Sequence, residues 1–214
     1  MDARQDEIIS DEEIEILQEL MNIAFGKAAA DLAEVIDIHV ILSVPYIKIL
    51  QATELLDYIK DEIKDCNNIN IIEQKFWGKL KGDALLLFPS GAGKKLLAIL
   101  EHEEDTTYES DPIDLLERET LMEVGNILIG ACIGKMAELL RDVVTYTPPR
   151  IIVENFPHNA IPGKQYDPNN TAVILKTVFR FDEGDVNGFL FFVTSHESIK
   201  WLGEALHKFM EQYE

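Results

Sequence analysis

Basic residues are scarce in this chain of 214 residues. It has 19 lysines and arginines against 39 acidic residues, which gives a formal net charge of −20. Nucleic acids and anionic membrane surfaces bind through cationic patches, so this balance argues against both as partners. A partner with a basic face, or a site that holds a metal or a lysine, fits the charge better.

Cysteines and long apolar segments are also scarce. Cys66 and Cys132, the only two cysteines, form no CxxC pair and no disulfide framework, which is typical of a reducing cytoplasm. Cys132 lies in an apolar helical segment, so we predict that it is buried. The acidic start is unlike a secretory signal, and the apolar runs fall far short of the roughly 20 residues that a membrane span needs. We therefore expect a cytoplasmic protein with no membrane contact.

Motifs for metal or nucleotide binding are incomplete. The five histidines are scattered without ligand spacing. Residues 90–95, SGAGKK, resemble a phosphate loop, but Phe88 and Lys95 stand where the Walker motif needs glycine and serine or threonine. We predict a strand-to-helix turn there, and we expect no metal and no cofactor of the protein's own. Trp77 and Trp201 fall in strand and helix patterns, so we expect them to pack in the protein.

The sequence does contain a repeat of itself. A shift of 104 residues places residues 15–34 on residues 119–138 with eight identities. Chance alone gives about one or two over such a length. The identical pairs are Glu15/Glu119, Leu17/Leu121, Glu19/Glu123, Asn22/Asn126, Ile23/Ile127, Gly26/Gly130, Ala33/Ala137 and Glu34/Glu138.

The predicted elements repeat as well. Each half has a long helix, a β-branched segment that ends at proline, two strands joined by a turn, and a closing helix. Ser10 and Glu13 form a capping box for the first helix. The first half adds a helix at residues 52–66, whereas the second half has a Pro-, Asn- and Gly-rich loop at residues 154–170.

The two halves are too small and too closely joined to favour separate domains. The seam at residues 102–111 is short, and each half offers only a few strands. We predict an α+β fold with one pseudo-two-fold domain, residues 1–214, built from repeats at about 10–104 and 110–214. The repeats share a mostly antiparallel sheet flanked by helices.

Each long helix carries one narrow polar stripe. At 100° per residue, two glutamates, an asparagine and a glycine lie within about 60° of one another, opposite the apolar side that packs on the sheet. The first stripe is Glu15, Glu19, Asn22 and Gly26, and the second is Glu119, Glu123, Asn126 and Gly130. Both stripes are therefore predicted to face outward.

A solvated helix face explains the glutamates but not the asparagines and glycines. Asparagine costs a few tenths of a kcal/mol in a helix, and glycine costs about 1 kcal/mol relative to alanine. Both residues occur at the same positions of the two long helices, so each cost is incurred twice. The glycines leave room for another surface, and an amide can hold a water through one acceptor and two donors. Such positioning suits phosphoryl hydrolysis, while a hard-metal site on the paired carboxylates is a weaker alternative.

The spacing of these residues carries a resemblance. Glu, two residues, Asn, twenty-two residues and Pro occur in this order at Glu19–Asn22–Pro45 and again at Glu123–Asn126–Pro149. The pattern resembles the signature of the CheC/CheX/FliY phosphatases of bacterial and archaeal chemotaxis, and its duplication is most similar to the CheC type.

The resemblance implies a hydrolase of two-component signalling that removes phosphate from an aspartate of a CheY-like response regulator. It implies that the asparagines align the attacking water, that the motif glutamates pair with a regulator lysine, and that the prolines shape strand ends. Glu15 and Glu119 stand where the family usually has Asp or Ser, and Gly125, but not Met21, matches the glycine that often precedes the asparagine. Mg²⁺ is implied on the regulator, and CheD is implied as a further partner.

Two other functions stay open. The same surface could dock a regulator or another chemotaxis protein without hydrolysis, as an adaptor does. A sensory domain that binds a small molecule between its halves is a third, weaker interpretation. Catalytic turnover distinguishes the phosphatase from a binding protein.

Overall fold

The computed structural model describes residues 10–36, 39–51, 53–62, 69–101, 115–154, 171–181 and 186–210. The helices in these ranges are α1 (Asp11–Ile36), α2 (Leu55–Glu62), α3 (Ala92–Glu101), α4 (Leu115–Leu139) and α5 (His196–Met210). The strands are β1 (Val40–Leu42), β2 (Tyr46–Gln51), β3 (Ile69–Trp77), β4 (Gly82–Pro89), β5 (Thr145–Tyr146), β6 (Arg150–Glu154), β7 (Thr171–Phe181) and β8 (Val186–Ser195). The predicted seam lies outside the described residues, as does the predicted loop at 154–170 apart from Glu154, which ends β6.

The strands form one sheet in which all described pairings are antiparallel. The order is β1-β7-β8-β4-β3-β5, with β2 beside β1 along β7 and β6 beside β5 along β3. The pseudo-two-fold axis therefore falls between β4 and β8. The first half's β1 and β2 pair with the second half's β7, and the second half's β5 and β6 pair with the first half's β3. The predicted fold class, an α+β duplication with a shared antiparallel sheet, is confirmed.

Alternation along the strands gives the sheet two buried faces. On one face Ile72, Phe76, Leu86, Leu175 and Phe179 pack with residues of α1, α3, α4 and α5. On the other face a smaller apolar cluster packs with α2. This smaller cluster comprises Leu50, Leu55, Ile59, Ile69, Ile71, Leu85, Leu87, Ile174, Phe191 and Val193. The long helices α1 and α4 thus lie side by side on one face of the sheet.

The first helix begins where the capping box predicts. The Ser10 N–H donates to Glu13 Oε2 at 2.8 Å, and the Glu13 N–H donates to Ser10 Oγ at 3.2 Å. These bonds satisfy backbone donors that have no partner inside the helix. The turn before α3 is also as predicted, because Gly91 has a φ of 79° directly before the first turn of the helix.

Length and composition would allow α4 to cross a membrane, alone among the helices in the described ranges. However, 56% of its most apolar window is buried inside the protein, as is usual for the core helix of a soluble domain. The cytoplasmic location stays a prediction.

Two features differ from the sequence predictions. The edge strands β2 and β6 were not predicted, because Pro45 and Pro149 were interpreted as strand ends. Each proline instead stands directly before a strand, where its missing N–H leaves no gap in the ladder. Trp201 packs against the core as predicted, but Trp77 at the end of β3 is 47% exposed, so the prediction that it packs inside is wrong.

Candidate functional site

Both predicted stripes lie on the outer face of their helices. Every stripe residue is exposed except Gly130, which is partly buried. The opposite sides of α1 and α4 are buried against the sheet, as the helical period predicts. The buried residues there include Leu17, Leu20, Met21, Ala24 and Ala28 on α1, and Leu121, Val124, Leu128 and Cys132 on α4.

The stripe glycines have open space around them. Apart from adjacent residues and the nearby backbone of its own helix, a Cβ atom built on Gly26 or on Gly130 would meet no heavy atom within 4 Å. The fold therefore gives no packing reason for glycine at these positions, although glycine costs about 1 kcal/mol relative to alanine in a helix. The space beside each asparagine is free to receive another molecule.

Gly125 has a different role from the stripe glycines. It is buried, and a Cβ there would lie 2.7 Å from Ile72 Cδ1. Its counterpart Met21 is fully buried. The residue before each asparagine therefore packs on the sheet and does not face a partner, so the departure at Met21 leaves the outer surface of the first stripe unchanged.

Beneath each stripe a short connection, here called the crossing, joins one strand to the next: residues 43–45 join β1 to β2, and residues 147–149 join β5 to β6. A matching set of hydrogen bonds holds the crossing in each half. In the first half, Ser43 Oγ accepts from the Val178 N–H at 2.9 Å, and the Ser43 N–H donates to the Val178 carbonyl at 2.8 Å. In the second half, Thr147 Oγ1 accepts from the Lys75 N–H at 3.1 Å, and the Thr147 N–H donates to the Lys75 carbonyl at 2.9 Å. Each crossing is thus fixed to a strand of the other half.

The strand neighbours of these crossings differ between the halves. Thr177 on β7 is buried, and its hydroxyl donates to the Ser43 carbonyl at 2.7 Å. Gln74 on β3 occupies the equivalent register, and its Nε2 donates to the Thr147 carbonyl at 3.0 Å. Gln74 is long enough to make a second contact, because Nε2 also donates to Asn126 Oδ1 at 2.7 Å.

The two asparagines therefore have different surroundings. Asn126 is exposed at its outer edge and held from below by Gln74. The Asn22 side chain is exposed and has no hydrogen-bond partner among the described residues. The first site has a contact of its own, since Gln18 Nε2 donates to the carbonyl of buried Pro45 at 2.9 Å and ties α1 to the crossing. Pro149, the counterpart of Pro45, is partly buried directly before β6.

Two buried or partly buried groups in the second half, Cys132 and Tyr146, have raised pKa values. Burial raises the pKa of the Cys132 thiol, which is fully buried as predicted. Burial likewise raises the pKa of Tyr146, which precedes Thr147. The exposed carboxylates of Glu119 and Glu123 lie on the second stripe itself. Within the described ranges no three His, Cys, Asp or Glu side chains lie close enough together to hold a metal ion.

Four residues of this arrangement were missed by the sequence analysis. Ser43 and Thr147 lie two residues before the motif prolines, and Thr177 and Gln74 are buried polar residues on the helix-facing side of their strands. At alternate positions of β3, Gln74 stands between the apolar residues Ile72 and Phe76. A polar residue in such a series is the signal that could have identified Gln74.

Fold and site together define a class: duplicated α+β proteins in which a long helix presents an exposed Glu–Asn pair above a proline crossing. Residues 12–49 and 116–153 of the chain match the model of the CheC-like family. The bounds of the two segments are offset by 104 residues, the shift found in the sequence, and each segment contains one stripe and one motif proline. The predicted resemblance is confirmed, and the chain carries the CheC-like segment twice.

Known proteins are similar to this chain in sequence or in fold. The CheY-P phosphatase CheC of Bacillus subtilis (strain 168) is 25% identical over 148 residues, which is 69% of each chain. The crystal structure of Thermotoga maritima FliY has a TM-score of 0.72 at 19% identity and covers 94% of this chain and 98% of its own. The FliM middle domain from H. pylori has a TM-score of 0.57 at 10% identity over 92% and 99%. At these identities the two structures show a shared fold.

Proposed function

We propose that this protein is a phosphatase that hydrolyses the aspartyl phosphate of a CheY-like response regulator. The observation that carries the proposal is the exposed Glu–x–x–Asn pair, which occurs on two pseudo-equivalent helices, each beside a glycine surrounded by open space. The relative from Bacillus subtilis, which is named as a CheY-P phosphatase, supports the same substrate class.

The glutamates provide the docking contact in this proposal. Glu19 and Glu123 each form an ion pair with a lysine of the regulator, which suits a chain with a net charge of −20. Residues three apart on a helix lie about 5–6 Å apart at Cβ, so a docked lysine brings the regulator's active site beside the asparagine. Glu15 and Glu119, one turn earlier, add negative charge to the same docking surface.

The asparagines position the nucleophile. The carboxamide of Asn22 or Asn126 holds a water molecule in line with the bond between phosphorus and the aspartate oxygen. The water oxygen attacks phosphorus, the bond to the aspartate oxygen breaks with its electron pair on the carboxylate, and the water protons leave with inorganic phosphate or to solvent. The Mg²⁺ that neutralises the phosphoryl oxygens is held by the regulator in this proposal.

The test is loss of phosphate from a phosphorylated CheY-like regulator of the same organism. Wild type, Asn22→Ala, Asn126→Ala and the double variant are compared, with Asn187→Ala, an exposed asparagine on β8, as the matched control. We expect wild type and the control to accelerate phosphate loss, each single variant to retain part of the acceleration, and the double variant to abolish it. Full acceleration by the double variant would refute the proposal.

A non-catalytic adaptor is the second function that an observation favours. The chain shares its fold with the FliM middle domain, and a shared fold does not by itself bring an activity. An adaptor would bind the phosphorylated regulator and leave its rate of phosphate loss unchanged or lowered. Binding is measured in the same samples by titration calorimetry, and CheD is titrated in the same way as a further proposed partner.

A further inference from the structure

Gln74 is a buried polar side chain in direct contact with a motif asparagine. It is 2% exposed, lies on β3 in the first half of the chain, and reaches Asn126 on α4 in the second half. Its Nε2 makes two hydrogen bonds, at 2.7 Å to Asn126 Oδ1 and at 3.0 Å to the Thr147 carbonyl. Burying an amide is unfavourable unless it is hydrogen-bonded, so a residue of this kind in a core face calls for a specific use.

The Thr147 carbonyl fixes the orientation of both amides. A backbone carbonyl can only accept a hydrogen bond, so Gln74 must turn its Nε2 toward Thr147. Because Asn126 contacts the same Nε2, Asn126 must present its Oδ1 there. The planar carboxamide of Asn126 then turns its Nδ2 away from Gln74, and Oδ1 keeps a second lone pair for another donor.

The described residues of the first half show no equivalent of this contact. Thr177 stands at the register of Gln74, and its hydroxyl bonds to the Ser43 carbonyl at 2.7 Å, as Gln74 bonds to Thr147. The reach of threonine from Cα to its donor is two heavy atoms shorter, and the Asn22 side chain has no hydrogen-bond partner among the described residues. The support of the crossing is therefore common to both halves, while the contact to the asparagine is found in the second.

We propose that Gln74 is a positioning residue that orients the Asn126 carboxamide for hydrolysis and makes the second site the more active of the two. This inference rests on the proposed phosphatase function. Gln74 touches neither water nor phosphate; it removes the freedom of Asn126 to rotate its amide, so that the N–H donors and the remaining lone pair of Oδ1 already face outward before the regulator docks. Such preorganisation lowers the entropy cost of reaching the reactive geometry.

The central experiment isolates the second site in an Asn22→Ala background. Gln74→Thr gives β3 the residue found at the equivalent place in β7, so the Thr147 carbonyl keeps a donor while Asn126 loses its partner. We expect kcat for phosphate loss to fall about tenfold, which is about 1.4 kcal/mol of barrier, with KM for the regulator unchanged. Gln74→Met, which keeps the shape but has no donor, is expected to lower kcat similarly.

The matched control uses an Asn126→Ala background, in which only the first site works. Gln74→Thr is expected to leave that remaining activity unchanged, because Gln74 then has no asparagine to orient. An equal loss of kcat in both backgrounds would show that the substitution disturbs the fold and would overturn the inference. A rise of KM at constant kcat, or no change in kcat, would overturn it as well.

A second readout is independent of activity. The side-chain amide protons of Gln74 and Asn126 are followed by NMR in the free protein, where Asn126→Ala is expected to shift the Gln74 amide signals and Asn22→Ala is not. Unchanged Gln74 signals in Asn126→Ala would refute the contact. If the wild type does not accelerate phosphate loss, the proposed function fails, and the amide signals still report whether Gln74 holds Asn126.

Discussion

Replacing the stripe glycines by alanine separates stability from function. Gly26 and Gly130 lie in helix interiors, and a Cβ on either would meet no heavy atom within 4 Å apart from adjacent residues and the nearby backbone of its own helix. Each Gly→Ala substitution is therefore expected to stabilise the protein by about 0.5–1 kcal/mol, since alanine is the better helix former and restricts the unfolded chain. The free energy of unfolding is measured by urea titration.

The same substitutions are expected to impair the reaction. If the regulator approaches into the space beside Asn22 or Asn126, an added methyl group produces a clash of about 1–3 kcal/mol, as overpacking does in a core. At the interface this corresponds to a loss of roughly 5- to 150-fold in kcat/KM. The assay is phosphate loss from the regulator, with Gly26→Ala and Gly130→Ala combined so that neither site compensates for the other.

The control is Gly134→Ala, which lies on α4 together with Gly130. A Cβ there makes only an ordinary contact of 3.9 Å with the Tyr146 hydroxyl, and the residue lies about 12 Å beyond Asn126 along the axis. We expect Gly134→Ala to stabilise the helix without lowering kcat/KM. Doubly substituted protein that is more stable and fully active would refute the view that the open space receives a partner.

Three further predictions concern the fold. Ser10 lowers the pKa of Glu13, first through its backbone N–H, so the stabilisation is complete above the unfolded pKa of about 4.5 and is lost as pH falls through the lower folded value; Glu13→Gln should therefore destabilise the protein at pH 7, and by progressively less as the pH falls below about 4.5, as measured by urea titration. Cys132 should resist a thiol reagent in native protein and react on unfolding, measured in a Cys66→Ser variant, because burial raises its pKa; rapid native labelling would contradict this. Residues 1–104 alone should give no cooperative unfolding transition, since β1 and β2 then lack β7; a sharp thermal transition of a monomer would argue for separate domains.

The long helices and their stripes were predictable because each obeys the 3.6-residue period over many turns. Leu17 and Leu121 are buried and Glu19 and Glu123 exposed, as that period requires. The local sequence pattern does not predict which strands pair with each other. The alternation along β7 indicates a strand, but it says nothing of whether β1 or β6 lies beside it.

Gln74 shows why the site was only partly predictable. A glutamine within the segment IIEQKFW is unremarkable in sequence, and the contact with Asn126 joins residues 52 positions apart in different halves. The contact exists because β3 pairs with β5 and β6, which places the strand under α4. The helix period identifies the exposed asparagine, whereas its orientation depends on tertiary structure.

The exchange of edge strands between the halves also affects how the two copies of the repeat can diverge. The helix and crossing of each site come from one copy, and the strand beneath them comes from the other: Thr177 supports Ser43, and Gln74 supports Thr147 and Asn126. A substitution at Thr177 or at Gln74 in one half therefore alters the site in the other half. The two sites are therefore coupled, because residues that distinguish one site from the other lie in the opposite half of the chain.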